Sequence, residues 1–365
     1  MRILIDAHVF DGKFQGTRTY LEGLYSHMVN HEDIEFYFAA CDIHKLRGIF
    51  GMVRNIHYVK LPCCGSFRRL LTVYPKIIEK YEIDYAHFQY VSPLRKKCKE
   101  IVTMHDLLFL DFPQYFPFWY RFSKKFLFMA SAKRADILLT VSDYSKDAIA
   151  RHFKIDENKI SITYNSVLPV TDIDNNSAVK DKYGLKKYIL TVSRIEPRKN
   201  HLMLLKAFVE LGLYRKGYSL VMVGAKDLNY HEFFGYLNSQ DEIVKKKVLM
   251  IEASFEDLVA LYKNATLFVF PSLAEGFGIP PIEAIAYGCP VLCSNATAMK
   301  EFGFPEENSF NPANLEELKE KIQKQLDSPV VLDYYKHQIL EKYNWQTIAD
   351  EYYGLLMKAT CQRDR

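Results

Sequence analysis

The stretch ATLFVFPSLAEGFGIPPIEAIAYG, residues 265–288, has the pattern of a buried strand, a sharp bend and the start of a helix. The apolar run ATLFVF predicts the strand, glycines and two adjacent prolines interrupt it, and apolar periodicity then resumes. A proline suits the first helical turn because its missing N–H would have no intrahelical partner, and glycines let backbone N–H groups approach a ligand. Glu275 precedes the bend and Glu283 lies in the first turn of the predicted helix. The stretch therefore predicts a strand-to-helix junction suited to an anion.

The same alternation of strand and helix patterns recurs along the whole chain, in two blocks. The strand-like runs are RILID, EFYFAA, IHYVKL, YAHF, EIVTM and DILLTV, then YILTVS, SLVMVG, VLMIE, TLFVF and PVLCS. Such alternation predicts parallel sheets built from βαβ units, and the chain exceeds the ~250 to 300 residues at which single cores usually stop growing. We predict an α/β protein of two doubly wound domains, residues 1–168 and 169–344, with a linker in 165–184 and the active site in the cleft between them.

Composition excludes several other classes of protein. The 365 residues are 49% hydrophobic and 25% charged, as in ordinary globular proteins. The seven cysteines form no C-x-x-C pair and no metal-ligand spacing, which favours reduced thiols in a cytosolic protein over a disulfide framework or a metal site. MRILIDAHVF is too short an apolar stretch for a secretory signal, and no run approaches the ~18 apolar residues of a membrane span. These features predict a cytoplasmic protein.

Basic residues gather in the N-terminal half of the chain. They cluster in SFRRLL (66–71), RKKCK (95–99) and FPFWYRFSKKFLFMASAKR (116–134). An amphipathic helix with Trp, Phe and Lys could lie on an anionic membrane surface. A core helix with a solvated face explains the same pattern, and we favour that interpretation. We predict no nucleic-acid partner.

A second candidate anion site follows the strand YILTVS. The sequence RIEPRKN, residues 194–200, places Arg194, Arg198 and Lys199 in a strand-to-helix loop, with Asn200 as the predicted N-cap of the next helix. Cations at a helix N-terminus do not stabilise the helix, because the dipole prefers anions at that end. Arginine grips phosphate with two hydrogen bonds and lysine supplies a mobile charge. An ordinary solvated loop is the alternative, and this segment alone supports both interpretations equally.

The first block offers looser candidates for a site. His105 and Asp106 follow the strand EIVTM, at the end where ligands bind parallel sheets, although a single histidine there is as often structural as functional. Gly12 and Gly16 precede a helix predicted to begin near Thr17. A glycine there can cradle a phosphate, but an ordinary turn explains it as well. The G-x-G-x-x-G fingerprint and the P-loop are absent, which disfavours an NAD-dependent enzyme and a P-loop nucleotide site.

Taken together, these motifs resemble those of the retaining family-four glycosyltransferases of the GT-B type. In the second domain they are SRIEPRKN and PSLAEGFGIPPIEAIAYGCPVLCSN, in which seven residues separate Glu275 from Glu283. Looser matches are RILIDAHVF, GTRTYLEGL, TMHDLLFL and ADILLTVSDYSKDAI in the first domain and YNWQTIADEYYGLL near the end. The resemblance implies two facing Rossmann-like domains, with a final helix, about 345–362, that packs back on the first.

The resemblance also implies a set of ligands and roles. A GDP- or UDP-linked sugar would be the co-substrate in the C-terminal domain and a glycan or lipid-linked acceptor would bind the N-terminal one, with no cofactor and no metal. Arg194 and Lys199 would hold the diphosphate, and Glu283 the ribose hydroxyls. Glu275 would lie under the donor sugar as electrostatic support more than as a nucleophile. The other implied residues are His105, a catalytic group from the first domain, and the substrate-binding Gly16, Ser193, Phe277, Gly278 and Ile279.

The function expected from this resemblance is transfer of a hexose. The chain would be a retaining, metal-independent glycosyltransferase of the mannose or glucose class that acts in surface polysaccharide synthesis. It would work in the cytoplasm, with peripheral contact to the inner face of the cell membrane left open. The alternative is a non-catalytic protein that binds a nucleotide sugar or docks on a membrane complex. The presence of Arg194, Lys199, Glu275 and Glu283 favours the enzyme, because a protein freed from catalysis has no physical need for all four.

Overall fold

The computed structural model describes residues 1–12, 15–168, 178–227, 229–329 and 333–361. The chain divides into two compact units, Met1–Leu168 with Tyr343–Arg365, and Pro169–Lys342. Each unit is built on one parallel sheet with helices between its strands, so the predicted α/β class with two doubly wound sheets is confirmed. Within the predicted linker, residues 169–177 lie outside the described residues.

The first unit contains a seven-stranded parallel sheet. Its strands are β1 (Arg2–Asp6), β2 (Glu35–Ala40), β3 (Ile56–Lys60), β4 (Tyr85–Gln89), β5 (Lys99–Thr103), β6 (Ile137–Thr140) and β7 (Ile160–Ile162). The spatial order is β3-β2-β1-β4-β5-β6-β7, and neighbouring strands are parallel throughout. The six runs predicted as strands form β1 to β6. The sequence analysis missed β7, because three residues with a central serine give no clear apolar run.

Helices follow most of these strands. They are α1 (Gly16–Met28), α2 (Ile43–Phe50), α3 (Ser66–Arg68), α4 (Tyr74–Lys80), α5 (Leu108–Asp111), α6 (Phe118–Arg134) and α7 (Asp143–Phe153). A π-helical turn, Arg69–Val73, joins α3 to α4. Short 3-10 turns lie at His8–Asp11, Pro113–Tyr115 and Glu157–Lys159. The turn at His8–Asp11 directly follows β1, so it lies at the carboxyl edge of the sheet.

The second unit contains a six-stranded parallel sheet. Its strands are β8 (Lys187–Val192), β9 (Tyr218–Val223), β10 (Val248–Ile251), β11 (Leu267–Phe270), β12 (Val291–Ser294) and β13 (Ser309–Phe310), in the order β10-β9-β8-β11-β12-β13. Its helices are α8 (Ala178–Tyr183), α9 (His201–Glu210), α10 (His231–Asn238), α11 (Glu242–Lys247), α12 (Phe255–Asn264), α13 (Ile279–Ala286), α14 (Leu315–Asp327) and α15 (Asp333–Lys342). Further 3-10 turns lie at Pro197–Lys199, Thr297–Phe302 and Glu306–Asn308.

Strand order in the second unit brings the two candidate anion loops together. β8 and β11 are neighbours in the sheet and run in the same direction, so the loops that follow them leave the same edge side by side. A backbone hydrogen bond joins these loops, from the N–H of Leu273 to the carbonyl of Arg198, 2.9 Å apart. The loops at 194–200 and 271–278, distant in sequence, therefore form one continuous surface.

The last helix, α16 (Trp345–Cys361), packs on α1 of the first unit. A Cβ placed on Gly23 would lie 2.0 Å from the Trp345 ring, so only glycine allows this approach of the two helices. Polar contacts anchor the same helix, because the Tyr25 hydroxyl lies 3.2 Å from that of Tyr352 and 2.7 Å from Nδ1 of His87. Burial lowers the pKa of His87 to about 3, so its ring stays neutral.

Helix α6 departs from the favoured interpretation of residues 116–134 as a core helix. Phe118, Trp119, Phe122 and Phe126 are all more than half exposed, and Trp119 reaches 77%. Buried side chains concentrate in the second half of the helix, as at Phe128. The N-terminal half of α6 therefore presents an aromatic face to solvent. No helix in the described ranges is both long and apolar enough to cross a membrane.

Candidate active site

The bend between β11 and α13 has the geometry that its sequence predicts. Gly278 adopts a left-handed conformation, with φ of 99°, which strains any residue with a side chain. A Cβ there would also lie 3.3 Å from Cγ of Met299. Helix α13 begins at Ile279 with prolines in its first turn. Glu283 is consequently the fifth residue of the helix and not, as predicted, part of its first turn.

Glu275 is buried in this bend and bound by two cations. Its Oε1 accepts a hydrogen bond from Nζ of Lys199 at 2.6 Å, and its Oε2 one from Nη1 of Arg198 at 3.3 Å. Its backbone N–H donates to Oγ1 of Thr297. Burial by itself would raise the pKa of Glu275, but the charges of Lys199 and Arg198 outweigh it and hold this pKa below its ordinary value. The carboxylate is therefore ionised.

Arg198 holds the two loops in place. Its Nη1 also donates to the carbonyl oxygen of Ala274 at 2.5 Å, and its Nη2 donates to Oε1 of Glu196 at 2.7 Å. Its side chain is only 15% exposed. Because the guanidinium group is planar and rigid, these hydrogen bonds fix its orientation. The sequence places Arg198 among the candidate cations of the loop, and only the structure shows its hydrogen bond to Glu275.

Lys199 lies deeper than an ordinary surface lysine. Its side chain is 14% exposed, and burial lowers its pKa while Glu275 opposes that shift. Asn200 does not cap the next helix with its side chain as predicted. It adopts a left-handed conformation, and its Nδ2 donates to the carbonyl of Pro312. The Asn200 side chain therefore links the turn after Lys199 to the segment that precedes α14.

Arg194 and Ser193 follow β8 at the same edge. Arg194 is 61% exposed and loosely paired, with Glu196 at 3.6 Å and Asp227 at 3.8 Å. Oγ of Ser193 lies 3.2 Å from Nε2 of His201. A Cβ on Gly224 would lie 2.2 Å from the carbonyl oxygen of Ser193, so this glycine, which sequence analysis missed, allows the close approach of the two loops.

Glu283 occupies a different environment from Glu275. Its Oε2 accepts a hydrogen bond from the Tyr262 hydroxyl at 3.0 Å, and Tyr262 is fully buried in α12. Burial raises the pKa of Glu283 to about 7, which the tyrosine bond opposes only in part. In the part of the chain that the structure describes, no ion pair to Glu283 is found. Its carboxyl group therefore changes charge near neutral pH.

The first unit contains the other two predicted site residues. Gly16 is the first residue of α1, and residues 13 and 14 before it lie outside the described ranges. His105 follows β5, and its Nε2 lies 2.7 Å from Oε1 of Gln89. Burial lowers the pKa of His105 to about 3, so it is neutral and donates to Gln89 through Nε2.

The structure thus groups the predicted residues in two sets. Lys199 and Glu275 are in direct contact, and Arg194, Ser193, Phe277, Gly278, Ile279 and Glu283 lie in the second unit with them. Gly16 and His105 belong to the first unit. Among the described residues, no group of three or more His, Cys, Asp and Glu side chains could hold a metal ion. The second unit's set combines buried cations, an ionised carboxylate and a helix start, which is the chemistry of a site for an anionic ligand.

Comparison with known families divides the chain at nearly the same place as the structure. Residues 15–169 match the family described as Glycosyltransferase Family 4. Residues 172–345 match the family described as Glycosyl transferases group 1. Each match covers one Rossmann-like unit, and the second contains the loops of Lys199 and Glu275.

Curated proteins with similar sequences include mannosyltransferases. O-antigen chain mannosyltransferase B of Escherichia coli is 30% identical over 270 residues, which are 65% of this chain and 68% of that protein. O-antigen chain mannosyltransferase RfbU of Salmonella typhimurium is 34% identical over 205 residues, 55% of this chain and 54% of that protein. The serotype-specific mannosyltransferase WbdA of Escherichia coli is 30% identical over 234 residues, 60% of this chain and 28% of WbdA. The matched segment therefore spans only about half of RfbU and less of WbdA.

Solved structures resemble the whole chain in fold. Sucrose-phosphate synthase from Thermosynechococcus elongatus superposes with a TM-score of 0.75 at 17% identity and covers 99% of both chains. Anabaena Alr3699/HepE in complex with UDP-glucose superposes with a TM-score of 0.74 at 16% identity over 98% of this chain and 100% of that one. At such low identity these likenesses establish the architecture of the chain.

Proposed function

This chain belongs to the family-four glycosyltransferases of the GT-B type, and on that premise we propose that it transfers a hexose from a nucleotide-diphosphate sugar to a glycan or lipid-linked acceptor in surface polysaccharide synthesis. Similarity to O-antigen mannosyltransferases supports mannose as the sugar and GDP-mannose as the first donor to test. A UDP-linked sugar is the second donor to test, because a protein with the same fold has been solved in complex with UDP-glucose.

One observation carries the proposal: the ionised Glu275 is bound by Lys199 and Arg198 in the bend that precedes α13. A bound diphosphate offers Lys199 a second anion, because an ammonium group has three protons to donate and Glu275 accepts one of them. Arg194, exposed at the same edge, adds a cation that can move toward the ligand. Glu275 keeps its charge beneath the donor sugar, where positive charge develops as the glycosidic bond breaks.

The same groups make a metal ion unnecessary in our proposal. Lys199, Arg194 and the backbone N–H groups of Gly278 and Ile279, which precede the two prolines of α13, stabilise the negative charge of the departing diphosphate. The departing phosphate then accepts the proton of the acceptor hydroxyl, and attack from the same face keeps the anomeric configuration.

A donor panel tests this function. Thermal shifts with GDP-, UDP-, ADP- and dTDP-sugars should single out one donor, because a ligand that binds only the folded state stabilises it by about 2.7 kcal/mol at a hundred times its Kd. That donor should be hydrolysed or transferred, with turnover unchanged by EDTA and with retention at the anomeric carbon by NMR. A donor that binds but never turns over would favour the non-catalytic alternative. Activity lost with EDTA and restored by Mn²⁺ or Mg²⁺ would contradict metal independence.

We also propose that the exposed face of α6 contacts anionic lipid. The helix carries five Lys or Arg residues and no Asp or Glu, so its charge complements an acidic bilayer surface. Phe118, Trp119, Phe122 and Phe126 provide the apolar side of an interfacial helix. The helix belongs to the first unit, which the resemblance assigns to acceptor binding. A lipid-linked acceptor would then lie near the unit that binds it.

Vesicle sedimentation distinguishes this contact from non-specific adsorption to membranes. The protein should sediment with vesicles of phosphatidylcholine and phosphatidylglycerol, and not with phosphatidylcholine alone. Trp119→Ser combined with Phe122→Ser should abolish sedimentation, whereas Ile243→Ser, at a similarly exposed apolar residue of the second unit, should not change it. Sedimentation that does not depend on acidic lipid, or that is unchanged in the double variant, would contradict the proposal.

A further inference from the structure

The carboxyl end of β1 contains a polar cluster that the function above does not use. Asp6, the last residue of β1, is 3% exposed. Its Oδ1 lies 2.6 Å from Nδ1 of His8 and accepts a hydrogen bond from the backbone N–H of His8 at 3.3 Å. The same oxygen accepts a hydrogen bond from the Tyr74 hydroxyl. Burial by itself would raise the pKa of Asp6, but His8 and Tyr74 outweigh it, so its pKa is lowered and the group is a carboxylate.

This cluster fixes the orientation of the His8 ring. Because a carboxylate only accepts hydrogen bonds, the proton on the ring must lie on Nδ1. In neutral His8 the opposite nitrogen, Nε2, then carries a lone pair and accepts a hydrogen bond. The side chain is 32% exposed, and within the described ranges its hydrogen bonds go only to Asp6. His8 thus presents a fixed acceptor nitrogen at the sheet edge where ligands bind parallel sheets.

Two nearby side chains have polar atoms without a partner. Nε2 of Gln89 and Nε of Arg69 are buried and lack hydrogen bonds among the residues that the structure describes. Gln89 is the last residue of β4, the neighbour of β1 in the sheet, so it lies at the same carboxyl edge as His8. Arg69 begins the π-helical turn that leads to Tyr74, and its charge acts on Asp6. A buried donor without a partner is unfavourable, and π-helical turns are frequent at functional sites.

We propose that His8, held by Asp6, binds a hydroxyl group of the carbohydrate acceptor in the first unit, with Arg69 beside it. A sugar hydroxyl fits His8 because it donates to Nε2 and offers its own oxygen to a neighbouring donor such as the Arg69 guanidinium. Asp6 acts as a positioning residue through His8. This proposal rests on the glycosyltransferase function and assigns an acceptor-binding group that the donor site of the second unit does not provide.

Two substitutions at the same position separate the ring's two nitrogens. Asparagine places an amide nitrogen where Nδ1 lies, so His8→Asn keeps the bond to Asp6 and loses the outward acceptor. Glutamine reaches the position of Nε2, so His8→Gln keeps a polar group facing the ligand. Both are small polar changes at a partly exposed residue, and thermal unfolding checks that both fold.

The assay compares transfer to water with transfer to an acceptor. The donor identified by thermal shift is radiolabelled, and label is followed into free sugar and into a lipid extract of bacterial membranes that serves as acceptor. His8→Asn should leave donor hydrolysis within about twofold of wild type and raise the acceptor KM roughly tenfold, as expected for one lost hydrogen bond. His8→Gln should recover part of that loss, and Arg69→Gln should raise the same KM.

Other outcomes overturn the proposal. Unchanged acceptor KM in His8→Asn, or equal losses in hydrolysis and transfer, would show that Asp6 and His8 only shape the turn after β1. Better transfer by His8→Asn than by His8→Gln would show that the bond from Nδ1 to Asp6 matters and that Nε2 does not bind the acceptor. A wild-type protein that neither hydrolyses nor transfers any donor would instead refute the glycosyltransferase function on which the subsite depends.

Discussion

Glu275 and Glu283 stand eight positions apart on either side of one bend, yet the protein gives them opposite electrostatic environments. Lys199 and Arg198 hold Glu275 below its ordinary pKa, while burial beside Tyr262 raises the pKa of Glu283 to about 7. The first glutamate is charged at any physiological pH, and the second gains its charge near neutrality. Sequence spacing therefore places two carboxylates, but their neighbours decide which one can carry a permanent charge.

The largest effect is expected when Glu275 loses Lys199, the cation closest to it. Lys199→Ala should destabilise the fold by about 3 to 5 kcal/mol, because it leaves a buried carboxylate without its closest cation. Turnover should fall by roughly a hundredfold or more, as it does when a preorganised charge is lost. Urea unfolding and donor turnover measure the two effects.

Two control variants make that result specific. Lys199→Met with Glu275→Leu removes both charges and should recover much of the stability without any turnover. Arg194→Ala, on the same loop but 61% exposed, should change stability by no more than about 0.5 kcal/mol. If Lys199→Ala is as stable as Arg194→Ala, the buried ion pair does not hold the two loops together.

Glu283 should show the opposite behaviour, an effect on ligand binding that depends on pH. Ribose hydroxyls donate to a carboxylate but pair poorly with a protonated carboxyl, so donor affinity should fall by up to about tenfold per pH unit below pH 7. Glu283→Ala should weaken binding by about 1.5 to 3 kcal/mol and remove this slope. Calorimetry with GDP-mannose tests it, since the free diphosphate has its own ionisation near pH 6.

The same shift predicts a trend in stability of the unliganded protein. The folded chain keeps a proton on Glu283 that the unfolded chain releases near its ordinary value of 4.5. Glu283 therefore costs increasing stability as pH rises from 4.5 to about 7, and the cost stays constant above that. Glu283→Gln should lack this contribution. Equal pH dependence in wild type and Glu283→Gln, for both binding and stability, would contradict the assignment.

The smallest expected effect concerns Glu275→Gln and the free nucleoside diphosphate. Glutamine keeps the shape and the hydrogen bond to Lys199 but removes the charge under the sugar, so diphosphate binding should stay within about threefold of wild type. Turnover of the nucleotide sugar should nevertheless fall sharply. Diphosphate binding weakened as much as in Glu283→Ala would instead make the two glutamates a structural clamp on the glycine loop.

Much of this site was accessible from local sequence patterns. Apolar runs predicted β8 and β11, and the prolines and Gly278 predicted the bend and the start of α13, because these features depend on backbone preferences of consecutive residues. The assignments of Arg194, Lys199, Glu275 and Glu283 to parts of a ligand came from family resemblance and stay predictions. The two-sheet α/β fold is confirmed.

Other features escaped sequence analysis because they join distant residues. Arg198 bonds to Ala274, 76 positions away, and Gly224 must be a glycine because Ser193 approaches it. Trp345 packs on Gly23 although the two residues lie near opposite ends of the sequence. Asp6 and Tyr74 are hydrogen-bonded only because the fold brings their elements together. Residues 116–134 predicted a helix correctly, but their pattern suited both a core helix and an exposed aromatic face, and the favoured core interpretation was wrong for the N-terminal half.

The sequence by itself determined where strands, helices and bends form, since turn chemistry and apolar periodicity act over a few residues. Tertiary structure alone decided what each polar group at the site can do. Glu275 is ionised because β8 and β11 are neighbours and bring Lys199 to it, and Glu283 titrates near neutrality because α12 covers it with Tyr262. A pKa depends on charges and solvent within a few ångströms in space, and only the folded chain defines those distances.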